Sequence, residues 1–273
     1  MTEHTNEPAV ERCAALLEEA ERARYPIAPP RETFPKLSIA DAYRVQLANV
    51  ARRKRGGERV IGHKVGLTAK AMQELFGVDE PDYGHLFDTM LHDAVRPLDL
   101  SALIDPQIEV EPAFVLGRKL EGGSLGVDEV LAATDCIMVC FEVIDSRVVD
   151  WRIGIQDTVA DNGSSARVVL GSQRVKPREL DLANLETVLE LDGQVVERGN
   201  TGAVLGHPAR SVAWLASTLS RFGLALEPGD IVLPGTCTRC RRIAGRHGAR
   251  GSMHGLGNVS IEFENSPTIT GKQ

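Results

Sequence analysis

Glu109 and Glu111 stand two apart in the run Gln107-Ile-Glu-Val-Glu-Pro-Ala-Phe-Val-Leu116, whose β-branched and apolar residues read as a strand. Alternation along a strand projects both carboxylates from one face into one small volume. Such neighbours repel unless water, a proton or a cation intervenes, and hard oxygen donors suit Mg²⁺ or Mn²⁺. A Glu-x-Glu pair is also common on the wet face of an edge strand, so a third carboxylate matters. Glu142 supplies it, embedded in the apolar run Ile137-Met-Val-Cys-Phe-Glu-Val-Ile144. A charge buried there needs a partner, which metal ligation would provide. Lys64, in Val60-Ile-Gly-His-Lys-Val-Gly-Leu-Thr68, is another charge in an apolar, glycine-flanked strand. It is suited either to holding a substrate carboxylate or to moving protons, although an isolated lysine of this kind more often snorkels to the surface.

The elements that must position these groups are legible in outline. Ala9, Cys13, Leu16, Leu17, Ala20 and Ala23 recur at helical spacing until Tyr25-Pro-Ile-Ala-Pro-Pro30 forbids further helix. Ser38 with Asp41 opens a second helix bearing Ile39, Tyr43, Leu47 and Val50, which Gly56-Gly57 ends after the basic run Arg52–Arg55. Those cations complement the helix dipole. From Val60 onward short apolar runs punctuated by Gly, Pro and Asp read as strands, and Asp192-Gly193 predicts a hairpin. Helices are expected at Thr68–Phe76, capped by Thr68, at about Val127–Thr134, and at Ala209–Phe222. His207-Pro208 just before the last of these reads as a cap rather than a base. Trp151 and Trp214 read as packing residues, and Asp145 with Arg147 as an ion pair near Glu142. The expected fold is α+β: a small helical region, 1–59, followed by a β-rich domain, 60–273.

With 42% hydrophobic and 25% charged residues the 273-residue chain has the composition of an ordinary globular protein. A net charge of −7 argues against nucleic-acid and anionic-membrane partners, leaving a small molecule as the expected ligand. No apolar stretch is long enough to span a bilayer, and residues 1–8 lack the features of a secretory signal, so the expectation is a cytoplasmic protein. Its five cysteines are expected to be reduced.

Ordered blocks then carry a resemblance along nearly the whole chain. Gly62-His-Lys-Val-Gly-Leu-Thr68, Gly77-Val-Asp-Glu-Pro-Asp-Tyr-Gly84, Ile108-Glu-Val-Glu111, Phe141-Glu-Val-Ile-Asp-Ser-Arg147, Asp157-Thr-Val-Ala-Asp-Asn-Gly-Ser-Ser165, Leu205-Gly-His-Pro-Ala209 and Gly255-Leu-Gly-Asn-Val-Ser260 follow one another. Together they resemble the 2-keto-4-pentenoate hydratase and 4-oxalocrotonate decarboxylase family of meta-cleavage aromatic catabolism, within the fumarylacetoacetate hydrolase superfamily. The resemblance implies a β-rich roll behind the helical region and a homo-oligomer, with a pathway enzyme as a further candidate partner. It also implies Mg²⁺ or Mn²⁺ held by Glu109, Glu111 and Glu142, with Lys64 and Asp82 catalytic, and Ser164, Ser165, Gly235 and Thr236 on the substrate side. The implied reaction is hydration of 2-hydroxypenta-2,4-dienoate or a substituted analogue to a 4-hydroxy-2-oxo acid, in which the metal stabilises charge on the substrate's carboxylate and 2-oxygen. Decarboxylation of 4-oxalocrotonate is the alternative within the enzyme class. A non-catalytic subunit that stabilises an active relative is the alternative outside it.

Two segments depart from the family pattern. Pro112, unable to donate a ladder hydrogen bond, suggests a sheet edge or a bulge. The segment Thr236–His254 is basic and poor in strand formers where relatives have two strands. Its candidate readings are a zinc site from Cys237, Cys240, His247 and His254, a cationic lid of Arg239, Arg241, Arg242 and Arg246 over a dianionic substrate, and a solvated loop.

Overall fold

The computed structural model describes residues 7–264. Residues 1–6, on which most of the signal-peptide expectation rests, lie outside that range. The helices are α1 (Glu7–Ala23), α2 (Pro30–Thr33), α3 (Ile39–Arg55), α4 (Lys70–Phe76), α5 (Val127–Ala133), α6 (Ile155–Ala160) and α7 (Pro208–Ser220). The strands are β1 (Val60–Gly66), β2 (Asp82–Phe87), β3 (Leu91–His92), β4 (Leu98–Asp99), β5 (Gln107–Leu116), β6 (Thr134–Ile144), β7 (Ser165–Leu170), β8 (Glu186–Leu191), β9 (Gln194–Asn200), β10 (Ile231–Leu233), β11 (Arg241–Arg242), β12 (Gly248–Met253) and β13 (Gly257–Glu264). The architecture is α+β, as expected. No described helix is long and apolar enough to cross a membrane.

One sheet runs β2-β1-β10-β5-β6-β7-β3, with β11 also pairing β5. Its two ends are consecutive in the chain, because β2 passes through the turn Asp88–Met90 directly into β3. The sheet therefore curls back on itself, and Leu86, Ala113, Cys140, Val168, Ile231 and Leu233 form the buried cluster inside the curl. Its outer face carries Val110, Phe114, Val139, Phe141 and Val169 into the main core, shared with Leu189, Val259 and Ile261 of the second sheet, ordered β4-β13-β12-β8-β9. The Asp192-Gly193 hairpin joins β8 to β9, and both turn residues have positive φ.

α1, α3 and α6 close the remaining side of the molecule. Ser38 and Asp41 form the anticipated capping box. Cys13, Ala14, Leu17, Ala42, Val45 and Val159 make a separate small core. The basic end of α3 is held by acids, Arg52 by Glu11 and Arg53 by Glu21 and Glu58. The proline-rich segment after α1 does hold one helical turn, α2, because Pro30 at its first position sacrifices no hydrogen bond.

Other expectations need correction. α4 starts at Lys70 without a side-chain cap, and Thr68 instead packs on Gly235, where an added Cβ would lie 2.3 Å from its hydroxyl. Pro112 is on neither an edge nor a bulge. β5 is interior to its sheet, with Pro112 opposite Val139 and the bulge at Val115/Leu116. On its other side β5 pairs with β11 at 107–108 and with β10 at 114–115, so Pro112 falls in the interval where that ladder has no partner to lose.

The Thr236–His254 segment is not a solvated loop. It contains β11 and then β12, which lies between β13 and β8. Strand formers are dispensable there because the neighbours demand small residues: a Cβ at Gly251 would lie about 3 Å from Phe141 and Val110. The zinc reading also fails, since Glu109, Glu111 and Glu142 are the one cluster of metal-ligating side chains among the described residues. Three of the four arginines of the expected lid are tied to acids, Arg241 to Glu197, Arg242 to Asp105 and Arg246 to Asp192, which leaves exposed Arg239 as its remaining member.

Between the curled sheet and α3 lies a buried polar group. The rings of His63 and His85 stand 4.8 Å apart, and His85 Nδ1 is 3.0 Å from Gln46 Oε1. Burial holds His63 well below its usual value, assisted by His85, and burial with Lys54 nearby lowers His85 to about 4. The neutral rings are favoured in the fold, so the unfolded chain takes up protons first as pH falls from about 6.5 toward 4. The His85 contribution, roughly 3 kcal/mol, is present above that window and lost within it. Thermal melts between pH 7.5 and 5 should show a smaller acid-induced fall in Tm for His85→Gln than for the parent chain. Parallel pH dependences would contradict this assignment.

Candidate active site

The three glutamates meet at one end of the curl. Glu109 and Glu142 are direct cross-strand partners, and Glu111 follows on the same face of β5, opposite Cys140. One carboxylate oxygen from each lies within 4.8 Å of the others, and Glu111 and Glu142 are each only 1% exposed. The strand alternation that places Ala113 and Cys140 in the apolar interior places these acids at its rim.

Flanking strands bring the remaining groups. Lys64 of β1 sets its Nζ 3.6 Å from Glu142 Oε1. Asp82, at the start of β2, pairs across from Gly66, and a Cβ on Gly66 would collide with Asp82 Oδ1. That oxygen is buried and lacks a hydrogen-bond partner among the described residues. Ser165, first residue of β7, donates its hydroxyl to Glu142 Oε1 at 2.7 Å. Gly235 donates its amide to Glu111 Oε2 at 2.8 Å, with a backbone φ of 110° that favours glycine.

Two sequence-derived candidates are aimed elsewhere. The Ser164 hydroxyl goes to Asp161 at 3.2 Å, while the Thr236 hydroxyl meets the Val110 carbonyl at 3.4 Å and Thr238. Both remain on segments that wall the site. His207 caps α7, its Nδ1 accepting from the Ala209 amide at 3.0 Å, in line with the capping expectation. Arg147 pairs with Asp161 at 2.5 Å rather than with the Asp145 carboxylate, which is taken by the amides of Ile104 and Asp105.

Sequence reasoning passed over Asn162 and Gly163 as individuals. Asn162 Oδ1 accepts from the His85 amide at 2.7 Å and its Nδ2 donates to the His85 carbonyl at 2.9 Å, stitching the loop to β2. Gly163, φ 61°, leaves room for Lys64, whose Cε would lie 2.8 Å from an added Cβ. The pairing Asn-Gly was the available signal, since both residues tolerate positive φ. A cavity of about 300 Å³ lies behind this loop, between α1 and α3, and none of the three glutamates lines it.

The electrostatics would suit a cation. Burial raises Glu109 to about 7, with Glu142 adding to the effect and Lys64 opposing it. Glu111 is raised well above the usual range by burial, then by Glu142 and Glu109. Burial also raises Asp82, against the pull of Lys64. Lys64 is lowered by burial but raised more by Glu142, Asp82, Glu109 and Glu111, so it remains an ammonium. One lysine faces four carboxyl groups, and a divalent cation would resolve the excess with the hard oxygen donors it prefers.

Known proteins resemble this chain along most of its length. The description "Fumarylacetoacetate (FAA) hydrolase C-terminal" matches residues 91–265. This chain belongs to that family. It is 41% identical over 256 residues to a 2-keto-4-pentenoate hydratase of Paraburkholderia xenovorans, covering 94% of this chain and 95% of the relative. A 2-hydroxypent-2,4-dienoate hydratase of Pseudomonas putida is 47% identical over 190 residues, covering 69% and 86%. Among solved structures, 4-oxalocrotonate decarboxylase from Pseudomonas putida G7, complexed with magnesium and adipate, superposes with a TM-score of 0.87 at 37% identity over 93% of this chain and 98% of that one. Within the fumarylacetoacetate hydrolase family the chain therefore sits with the hydratases and the decarboxylase, and it is an enzyme of the lyase class.

Because Glu109 and Glu111 bind protons above the usual range, a cation entering the cage must displace them. Calorimetric titration with Mg²⁺ near pH 6.5, in two buffers of different ionisation enthalpy, should show net proton release, approaching about two per ion, and affinity rising toward pH 8. Proton-neutral binding would remove Glu109 and Glu111 as the ligands.

Proposed function

We propose that this chain is a divalent-metal-dependent hydratase that adds water to 2-hydroxypenta-2,4-dienoate, or a substituted analogue, to give a 4-hydroxy-2-oxo acid in aromatic meta-cleavage catabolism. The observation that carries it is the convergence of Glu109, Glu111 and Glu142 within 4.8 Å of one another, beside Lys64, in a chain that matches a hydratase over 94% of its length. An all-carboxylate donor set favours Mg²⁺ or Mn²⁺ over softer-ligand metals. When bound, that ion supplies positive charge to stabilise the anionic oxygens of a 2-oxo acid.

The chain's own residues divide the remaining work. Ser165 and the Gly235 amide each occupy one oxygen of Glu142 and Glu111, fixing which oxygens face inward. Lys64 stays cationic and donates toward an anionic substrate oxygen. Asp82, raised by burial and with Oδ1 unpaired, holds the proton that ketonisation of the dienol delivers to carbon. Ser164 and Thr236 contribute the walls of the substrate space through their backbone segments.

Decarboxylation of 4-oxalocrotonate is the second reading, favoured by the likeness to the decarboxylase. A dicarboxylate calls for a further cation near the substrate, and three of the segment's four arginines, Arg241, Arg242 and Arg246 but not Arg239, are committed to Glu197, Asp105 and Asp192. That commitment favours the hydratase. The complete cage likewise gives no support to a non-catalytic subunit. We also infer a homo-oligomer, a reading supported by the exposed Tyr25, Val95 and Phe222, and a reducing cytoplasmic setting, supported by five free cysteines.

Ultraviolet assay of the dienoate and of 4-oxalocrotonate, each with Mg²⁺, Mn²⁺ or chelator, tests the reading. Turnover of the dienoate should require the ion, and Glu109→Gln or Glu142→Gln should lower kcat/KM by roughly 10²-fold or more. Full activity after exhaustive chelation, or in either variant, would overturn it. Asp82→Asn should reduce kcat with little change in Mg²⁺ affinity, which separates the proton carrier from the ligands.

A further inference from the structure

β6 delivers Glu142 and ends at Ile144, and the next three residues, Asp145-Ser-Arg147, are buried and reach to both sides of that strand. The Asp145 carboxylate accepts from the Ile104 and Asp105 amides at 2.8 and 2.7 Å, on the approach to β5 and its two glutamates. The Asp145 amide donates to the Ser164 carbonyl at 2.8 Å. Arg147 takes hold of the loop on the other side. Its amide donates to Asp161 Oδ2 at 3.0 Å, Nε to Asp161 Oδ1 at 2.5 Å, Nη2 to the Asp161 carbonyl at 2.5 Å, and Nη1 to the carbonyls of Asp145 and Ser165 at 2.8 and 3.3 Å. None of these bonds goes to a cage carboxylate.

The loop so held is one that would not keep its shape unaided. Asn162, Gly163 and Ser164 occupy the left-handed region in succession, with φ of 56°, 61° and 57°. Such conformations are costly for the two non-glycine residues and persist only where the surroundings over-determine them. The outcome of holding them is local and chemical: Gly163 lies against Lys64, and the Ser165 hydroxyl reaches Glu142 Oε1 at 2.7 Å. A guanidinium can grip a carboxylate, its backbone carbonyl and two further carbonyls at once because its donors form a rigid fork, whereas an ammonium cannot.

We propose that Arg147 is a positioning residue for the reaction: by holding Asp161 and the left-handed loop it fixes the Ser165–Glu142 hydrogen bond and the lie of Lys64. This rests on the reading of Glu142 as a ligand. The test is a double-mutant cycle of Arg147→Lys with Ser165→Ala on the Mg²⁺-loaded enzyme, read as kcat, KM and Mg²⁺ affinity. Arg147→Lys should lower kcat about tenfold with KM within about twofold and Mg²⁺ still bound, and this factor should shrink to under about twofold in the Ser165→Ala background. An unchanged kcat, or the same factor in both backgrounds, would overturn the proposal, since a role in stability alone does not depend on Ser165.

Should Arg147→Lys fail to fold, Ser146→Ala removes the 3.4 Å hydroxyl contact to the same Asp161 carboxylate, together with the bond that hydroxyl accepts from the Val148 amide at 3.1 Å. A smaller kcat loss, again masked by Ser165→Ala, is expected, and none would count against the proposal. Failure of the parent chain to bind Mg²⁺ would overturn the cage reading and Arg147 with it, whereas binding without coupling would overturn Arg147 alone.

Discussion

Everything at this site turns on the cost of placing like charges out of water. Glu111 and Glu142 are almost wholly buried, share their volume with Glu109, and are offered one ammonium in return. A pair this close gains nothing from proximity, and the low-dielectric surroundings magnify the repulsion. The rest of the sheet is arranged to hold the acids there regardless. Direct pairing of β5 with β6 sets Glu109 against Glu142, and the apolar interior beneath keeps Glu142 from turning away into solvent.

Rigidity at the rim has a different origin from rigidity in the core. The core is held by side-chain packing of the usual kind, as Phe141 and Val110 show by filling the space over Gly251. The rim is held by directional bonds to backbone: Asn162 to both polar groups of His85, Gly235 to Glu111, Asp145 to two successive amides. Such bonds lose strength steeply with misalignment, so they specify orientation where packing only excludes volume.

Much of this was legible in the residues. The two-residue spacing of Glu109 and Glu111 fixed their shared face, and Glu142 announced itself as a charge inside an apolar strand. The Ser38 capping box, the Asp192-Gly193 hairpin and the His207 cap were local signals and emerged as read. What was hidden was non-local. β12 is written in Gly, Ala, Arg, Ser and Met, so propensity alone could not reveal a strand whose identity comes from its neighbours. Arg147 was readable as half of an ion pair, but its partner is Asp161, across a loop and beyond the reach of sequence spacing, and not Asp145. Pro112 was misjudged because a gap in a ladder, unlike an edge, leaves no mark on the pattern of apolar residues.

The order of strands also governs when the site comes into being. β10 lies between β1 and β5, yet its residues, 231–233, belong to the last fifth of the chain. A ribosome that has already released every glutamate of the cage still lacks the strand that joins the two halves of the curl, and the Gly235 amide that steadies Glu111 follows directly after it. Emerging chains thus carry three acids and two unjoined sheet edges from residue 142 until residue 231, about a third of synthesis. Non-local pairing of this kind is slow and leaves edges open to wrong partners. Catalytic competence is therefore a late, all-at-once event in the life of each molecule, and a chain cut short before Gly235 would possess every proposed metal ligand without the framework that makes them one site.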